Sequence, residues 1–250
     1  MKKLLNKILP EFIIQLIVKQ KYKKYNIQVH RENIKENNIV KIECNNTEKY
    51  NLLKEMLYKS FGGIIKIENR HFYFHPIAII KTPNIIDDYL KLIGAKSRNM
   101  NKKALKNGIY TKIFNWNDRL DEIYAINTSS QQRQGREMDK AYVEYPKEVE
   151  NINDKDFSVV YVGAFNEKDV LIGYIELYIY GNFIMTNRIL GHKEYLKYGV
   201  MNLLVKYCVE YAIENNVSYI NYLTMQNRHN NSLSAFKYRV GFREYSLVKL

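Results

Sequence analysis

The pattern of apolar and polar positions is clearest between residues 109 and 250. Apolar segments of strand length are separated by turn signals such as the Gly181–Asn182 pair. Between these segments, residues 195–215 carry Leu, Val and Tyr at helical spacing along one stripe. The predicted order from Ile109 onward is β-α-(α)-β-β-β-α-β-α-β. This order predicts an α/β fold, with a mixed, mostly antiparallel sheet flanked by helices.

Residues 1–108 have a shorter and more mixed pattern. "NIVKIEC" is typical of a strand, "TEKYNLLKEMLYKSF" of a helix with Thr47 as its N-cap, and "GIIKIENRHFYFHPIAII" of two strands around a turn. A helical segment follows, with a break near Gly94 and an end at Gly108. We therefore predict an N-terminal α/β region over 1–108, beginning with an amphipathic helix, and a second domain over 109–250.

Composition adds a strong positive charge. The chain has 250 residues, with 39 basic and 26 acidic side chains and a formal net charge of +13. Such an excess favours phosphate-bearing partners, which include nucleic acid, a nucleotide-linked cofactor and an anionic membrane surface. The excess of Ile, Lys, Asn and Tyr is also typical of an AT-rich genome, so charge alone does not choose among these partners.

Cysteines and histidines predict neither a disulfide framework nor a metal site. Cys44 and Cys208 share no metal-ligand spacing. Two thiols do not make a disulfide framework, and this favours a cytoplasmic protein. His71 and His75 share one side of a strand without a carboxylate or thiol partner, so we expect no metal.

The N-terminal segment leaves two interpretations open. The apolar stretch from Phe12 to Val18 is too short to span a bilayer, and lysines flank it. Residues 1–25 could therefore make peripheral contact with the inner membrane face, or the helix could dock on the body of the protein.

The closing segment carries a family resemblance. "NNSLSAFKYRVGF", Asn230 to Phe242, resembles the last helix of GNAT acyltransferases, which follows the pattern N-x-x-A-x-x-x-Y-x-x-x-G-F. Asn230 and the Gly241–Phe242 pair match this pattern. Lys237 stands where the family has a tyrosine, whose implied role is to protonate the departing thiolate of coenzyme A. The resemblance implies a GNAT-like acyltransferase domain over 109–250.

A lysine in that position, together with the upstream "SRNMNKKALKNGIYTKIF", is similar to the Fem-type branch of the superfamily. Fem-type enzymes build peptidoglycan bridges from aminoacyl-tRNA, and residues 1–108 would then be a reduced first GNAT-like half. The implied activity is transfer of an acyl or aminoacyl group to an amine acceptor, plausibly on a sugar or cell-envelope precursor. The donor would be acyl-CoA, an acyl carrier protein or aminoacyl-tRNA. The alternative is a non-catalytic basic module on the same fold that binds nucleic acid or an anionic membrane.

The donor-binding loop of the family is only partly present. GNAT proteins carry a Q/R-x-x-G-x-G/A loop before the long helix, where backbone N–H groups receive pyrophosphate. The equivalent segment here is "GHKEYLKYGVMNLL", in which Gly199 fits the pattern while Tyr195 and Tyr198 are bulky. The expected cofactor-binding residues are His192, Lys193, Lys197, Gly199 and Asn230.

Acyl transfer to an amine requires a proton acceptor and donors for the developing oxyanion. Lys237 could stabilise the oxyanion or leaving group, or it could be a lysine that reaches out of a helix edge to solvent. Glu176 could accept the proton of the amine, or it could face solvent. Strand alternation places Tyr174, Glu176 and Tyr178 on one face.

Two further groups are candidates for substrate binding. Asn187 and Arg188, on the next strand, are predicted to point to opposite faces, and either could line the cleft. Arg133, Gly135 and Arg136 lie in a polar loop that could hold an anionic acceptor by bidentate contacts, or could simply be solvated.

Overall fold

The computed structural model describes residues 11–44, 47–133, 136–154, 157–225 and 231–250. The helices are α1 Glu11–Lys35, α2 Thr47–Phe61, α3 Ile86–Leu92, α4 Ala95–Lys106, α5 Leu120–Thr128, α6 Lys140–Val143, α7 Val200–Glu214 and α8 Asn231–Arg239. The strands are β1 Ile39–Val40, β2 Ile64–Ile67, β3 Arg70–Tyr73, β4 Ile77–Lys81, β5 Tyr110–Ile113, β6 Gln132–Arg133, β7 Arg136–Glu137, β8 Phe157–Phe165, β9 Leu171–Tyr180, β10 Phe183–Gly191, β11 Tyr219–Thr224 and β12 Arg243–Leu247. Short 3-10 turns cover Trp116–Arg119 and Leu196–Tyr198.

A mixed eight-stranded sheet forms the centre of the molecule. Its strand order is β1-β12-β4-β11-β10-β9-β8-β5. Only the β1–β12 and β10–β11 pairs are parallel, and the other pairs are antiparallel. The prediction of a mixed, mostly antiparallel sheet flanked by helices is confirmed.

Strand β4 joins the two parts of the chain. It comes from the first 108 residues and lies between β11 and β12, antiparallel to both. The sheet therefore runs continuously across residue 108. The division of the chain at that point stays a prediction.

The sheet has two buried faces with different coverings. On one face, Ile175 and Leu177 of β9 pack in a cluster with residues of α7, such as Leu204. On the other face, Tyr174 packs with Ile123 of α5. Alternation along β9 explains this division, because successive side chains point to opposite sides of a strand.

Helix α1 differs from its prediction. It runs unbroken to Lys35, and its C-terminal half buries Asn26, His30 and Asn33 against the sheet. Nδ1 of His30 lies 2.7 Å from the Ser246 hydroxyl oxygen, and the Asn26 amide donates to the Phe74 carbonyl at 3.1 Å. Polar residues at these positions obscured the buried face in the sequence. This half of the helix docks on the body of the protein.

Two further observations concern the elements around the sheet. The polar run predicted as loop or broken helix contains a short hairpin, β6–β7, followed by the single-turn helix α6. Among the helices of the described residues, none is both long and apolar enough to cross a membrane.

Candidate active site

A gap opens in the sheet where β10 and β11 separate. Their parallel pairing ends at Met185 and Asn221. Beyond this point β10 has an irregularity between Thr186 and Arg188, and the pairing of β11 with β4 shifts between Asn221 and Thr224. Leu223 has a φ of 51°, and its backbone N–H and carbonyl both bond to the Asn221 side chain. Both strands are therefore bent at the point where they part.

Glu176 lies on the α5 face of the sheet beside this gap, and only 6% of its surface is exposed. The Asn187 amide donates to Glu176 Oε2 at 2.7 Å. The Arg188 guanidinium Nε is 3.4 Å from the same oxygen. The buried carboxylate is therefore paired, as a charge in this environment requires.

The prediction that Asn187 and Arg188 point to opposite faces is wrong. Arg188 pairs directly with Glu176 across the strands, while Asn187 lies at the irregularity of β10. A bulge places two consecutive residues of one strand opposite a single residue of its neighbour. Both side chains consequently reach the Glu176 carboxylate.

The tyrosines around Glu176 remain protonated at neutral pH. Burial, together with the nearby Glu176 charge, raises the pKa of Tyr178 to about 12 and also raises the pKa of Tyr161. Burial likewise raises the pKa of Tyr174, whose hydroxyl donates to Asn127 Oδ1 at 2.7 Å. The predicted grouping of Tyr174, Glu176 and Tyr178 on one face agrees with this packing.

The Arg133 guanidinium forms hydrogen bonds with groups of the protein itself. Its guanidinium donates to the Gly191 carbonyl at 2.9 Å and the Ile126 carbonyl at 2.8 Å, and it also bonds the Ser129 hydroxyl. Burial lowers the pKa of Arg133 from its ordinary value. These contacts tie the β6 segment to the end of β10. Gly135 lies outside the described residues, as does the side chain of Arg136.

Tyr142 on α6 is a site residue that sequence reasoning missed. The Arg188 guanidinium carbon lies 5.8 Å from the Tyr142 ring centre and 5.7 Å from that of Trp116. Burial raises the pKa of Tyr142, and the Arg188 charge opposes this shift. The available signal was Asp139, whose carboxylate caps the helix that carries Tyr142.

Lys237 lies on the opposite, α7 side of the sheet and is 3% exposed. Its ammonium donates to the carbonyls of Tyr222 at 2.8 Å and Thr224 at 2.7 Å, and lies 4.2 Å from the Tyr222 ring centre. Burial lowers the pKa of Lys237 to about 8. These contacts explain the charge on an apolar helix face, because the end of β11 presents carbonyls that the bent strand leaves available.

Electrostatic effects on two tyrosines involve groups on both sides of the gap. The Tyr222 ring lies beneath the Lys237 ammonium. Burial is the main cause that raises the pKa of Tyr222, and Tyr142 adds to this shift. The pKa of Tyr142 is in turn lowered by the Arg188 charge and raised by the Glu176 charge.

The glycine at the start of α7 packs closely against α4. Gly199 has a φ of 93°, and a Cβ at this position would overlap the Met100 carbonyl oxygen of α4. The open side of the glycine is therefore covered by backbone. Tyr195 and Tyr198 pack against the hydrophobic core at the same place.

The other expected donor-binding residues make local contacts. The backbone N–H groups of His192 and Lys193 bond the Ile172 carbonyl and the Ser129 hydroxyl. The Lys197 ammonium lies 5.0 Å from the Tyr198 ring centre. Asn230 lies outside the described residues. The assignment of His192, Lys193, Lys197 and Gly199 to donor binding stays a prediction.

Comparison with known proteins supports this architecture. The acetyltransferase (GNAT) family profile matches residues 120–242. No curated protein matches the chain. The crystal structure of FemX is similar over 80% of this chain and 66% of its own, with 11% identity and a TM-score of 0.54.

Two other solved structures are similar at lower scores. L-PGS from Bacillus licheniformis has 12% identity and a TM-score of 0.47, over 78% of this chain and 63% of its own. A tandem GNAT protein from the clavulanic acid biosynthesis pathway has 15% identity and a TM-score of 0.39, over 71% of this chain and 53% of its own. The chain covers less than two thirds of each of these three structures.

The mixed sheet and the profile match lead to the same family. FemX shares the fold of most of the chain. Residues 120–242 therefore form an acetyltransferase domain of the GNAT family, and the fold around them is shared with FemX.

Proposed function

We propose that the protein transfers an aminoacyl group from aminoacyl-tRNA to an amine on a sugar or cell-envelope precursor. The observation that carries this proposal is the gap between β10 and β11, with a buried carboxylate on one face and a buried ammonium on the other. Acyl transfer needs a proton acceptor near the amine and positive charge near the leaving group. Glu176 and Lys237 supply these two groups.

The choice of donor rests on the start of α7. Acyl-CoA would need an open cradle there for its pyrophosphate, and the Met100 carbonyl of α4 lies close against Gly199 at this point. Aminoacyl-tRNA needs a basic surface for its phosphates instead. The exposed side chains of Lys102, Lys103 and Lys106 on α4 lie next to the same region, and the net charge of +13 agrees with a polyanionic donor.

The acceptor would occupy the Glu176 side of the gap. The amine nitrogen forms a bond to the ester carbonyl carbon, and Glu176 receives the proton that the amine loses. The bond to the ribose oxygen breaks, and that oxygen takes a proton from the Lys237 ammonium. A lysine with a pKa of about 8 is mainly protonated at pH 7 and can donate at this step. Water then returns both groups to their starting states.

The exposed half of α1 supports a peripheral membrane location for the acceptor reaction. Between Glu11 and Glu32 the helix carries lysines and an arginine and no acidic residue. Lys19, Lys23 and Lys24 are exposed. Such a basic segment is attracted to anionic lipid, near which cell-envelope precursors are assembled. Binding to vesicles that contain phosphatidylglycerol, and none to purely zwitterionic vesicles, is the expected result; equal binding to both would contradict it.

The donor is identified by supplying acyl-CoA and aminoacyl-tRNA pools separately to the purified protein with a panel of amines. Mass spectrometry follows the loss of each donor, and protein-free reactions correct for spontaneous ester hydrolysis. We expect amine-dependent loss of aminoacyl-tRNA. Loss of acyl-CoA alone would overturn the choice of donor, and loss of neither would favour the non-catalytic binding module.

A further inference from the structure

Thr186 occupies the point on β10 where the gap begins. It follows Met185, the last residue of β10 that pairs with β11, and it precedes the irregularity in the pairing with β9. Continuing the parallel register places Thr186 level with Tyr222. The Tyr222 carbonyl is one of the two that bind Lys237. Thr186 and the Lys237 anchor therefore lie on the two edges of the same opening.

The side chain of Thr186 faces the α7 side of the sheet. Its partner across the strands is Leu177, which belongs to the core cluster that includes α7 residues. Glu176, one position earlier on β9, faces the other side. Thr186 thus lies on the same side of the gap as Lys237, where the proposed function places the donor, while the acceptor amine approaches from the Glu176 side.

The hydroxyl of Thr186 has no assigned role in the packing. The residue is 3% exposed, and within the described part of the chain its Oγ1 has no hydrogen-bond partner. A buried hydroxyl without a partner costs free energy that valine, with the same shape, would avoid. A buried, unpaired donor at the point where two strands separate is suited to a ligand that brings its own acceptor atom.

We propose that the Thr186 hydroxyl donates a hydrogen bond to the carbonyl oxygen of the transferred acyl group. This inference rests on the proposed function and deepens it by naming the contact that orients the donor. The amine adds to the carbonyl carbon, and the carbonyl oxygen becomes an oxyanion that the hydroxyl stabilises. The hydrogen bond strengthens as the negative charge develops, so it favours the transition state over the bound substrate.

The test compares Thr186→Val with Thr186→Ser in the full-length protein. Valine keeps the shape and removes the hydroxyl, whereas serine keeps the hydroxyl. We expect Thr186→Val to lower kcat for aminoacyl transfer about 10- to 100-fold, with little change in the KM for the amine. Its thermal midpoint should equal or exceed that of the wild type, because an unpaired buried hydroxyl is removed. Thr186→Ser should stay within a few-fold of wild-type kcat.

A second pair of variants keeps the test decisive if valine at this position prevents folding. If Thr186→Val does not fold, Thr186→Ala is compared with Thr186→Ser, since these two differ only in the hydroxyl. Equal rates in either hydroxyl-matched pair, with an active wild type, would overturn the contact and leave the proposed function standing. A folded wild type that transfers no acyl group from either donor would overturn the proposed function itself, and the contact with it.

Discussion

Lys237 is held in the interior by two backbone carbonyls at the end of a bent strand, and those bonds keep its ammonium in place. Burial opposes the charge, and this opposition lowers the pKa of Lys237 to about 8. A side chain with this pKa can be charged at pH 7 and still give up a proton readily. The structural and the chemical interpretations of Lys237 therefore do not exclude each other.

Lys237→Met should change how stability depends on pH. The lysine pKa is about 8 in the folded protein and near 10.5 in the unfolded chain, so the unfolded state binds more protons between these values. The wild type should therefore gain stability relative to the variant as pH rises from about 8 to 9.5. The slope should reach at most about 1.4 kcal/mol per pH unit.

Urea unfolding at a series of pH values measures this difference. Methionine keeps a similar length and volume, so lost packing contributes little to the slope. Parallel stability curves for the two proteins would show that folding does not lower the pKa of Lys237.

At the scale of single residues, the sequence predicted which face of the strand carries Glu176, because alternation along a long strand is a local property. It could not locate the partners of Glu176 correctly. The irregularity between Thr186 and Arg188 depends on how β10 is paired, and no local pattern in "FIMTNRILG" reveals it. Thr186 was missed for the same reason, since its unpaired hydroxyl is visible only in the folded sheet.

Helices α4 and α7 pack so closely that the start of α7 is part of a helix interface. Gly199 permits this approach, since its φ of 93° and the nearby Met100 carbonyl both exclude a side chain. In the sequence the glycine resembled the remnant of a pyrophosphate loop. Sequence reasoning could identify the residue, but the helix packed against it was not predictable.

Gly199→Ala should destabilise the protein by about 2–4 kcal/mol, because it combines a left-handed backbone with a backbone clash. Gly94→Ala is the matched control. Gly94, just before α4, has a φ of −64° and no atom within 4 Å of an added Cβ. Thermal or chemical unfolding measures both variants, and equal stabilities would contradict the proposed packing of α4 on α7.

At the scale of the whole molecule, β4 joins strands from both parts of the chain into one sheet. The sequence predicted two strands in the segment that contains it, whereas the structure has three, β2, β3 and β4. The apolar run of β4 is buried between β11 and β12. The sequence could not predict that a strand near residue 80 would pair with strands near 220 and 245. Such pairing depends on contacts between residues far apart in the chain.

A fragment of residues 109–250 should not fold cooperatively, because β11 and β12 lose the strand between them and expose its apolar contacts. Circular dichroism with thermal melting tests this expectation. Adding a separate 1–108 fragment should restore a cooperative transition. If the 109–250 fragment alone melted like the full chain, the predicted division at residue 108 would describe two independent domains.

The most direct measurement of the central claim is the amide product itself. The wild-type protein is incubated with tRNA that carries a ¹³C-labelled aminoacyl group and with an amine acceptor, and mass spectrometry identifies where the label is found. We predict labelled amide on the acceptor, with its rate of formation reduced about 100-fold or more in Glu176→Gln. Recovery of the label only as free amino acid would contradict the account. Amide formation only in a parallel reaction that contains ¹³C-labelled acyl-CoA in place of the tRNA would also contradict it.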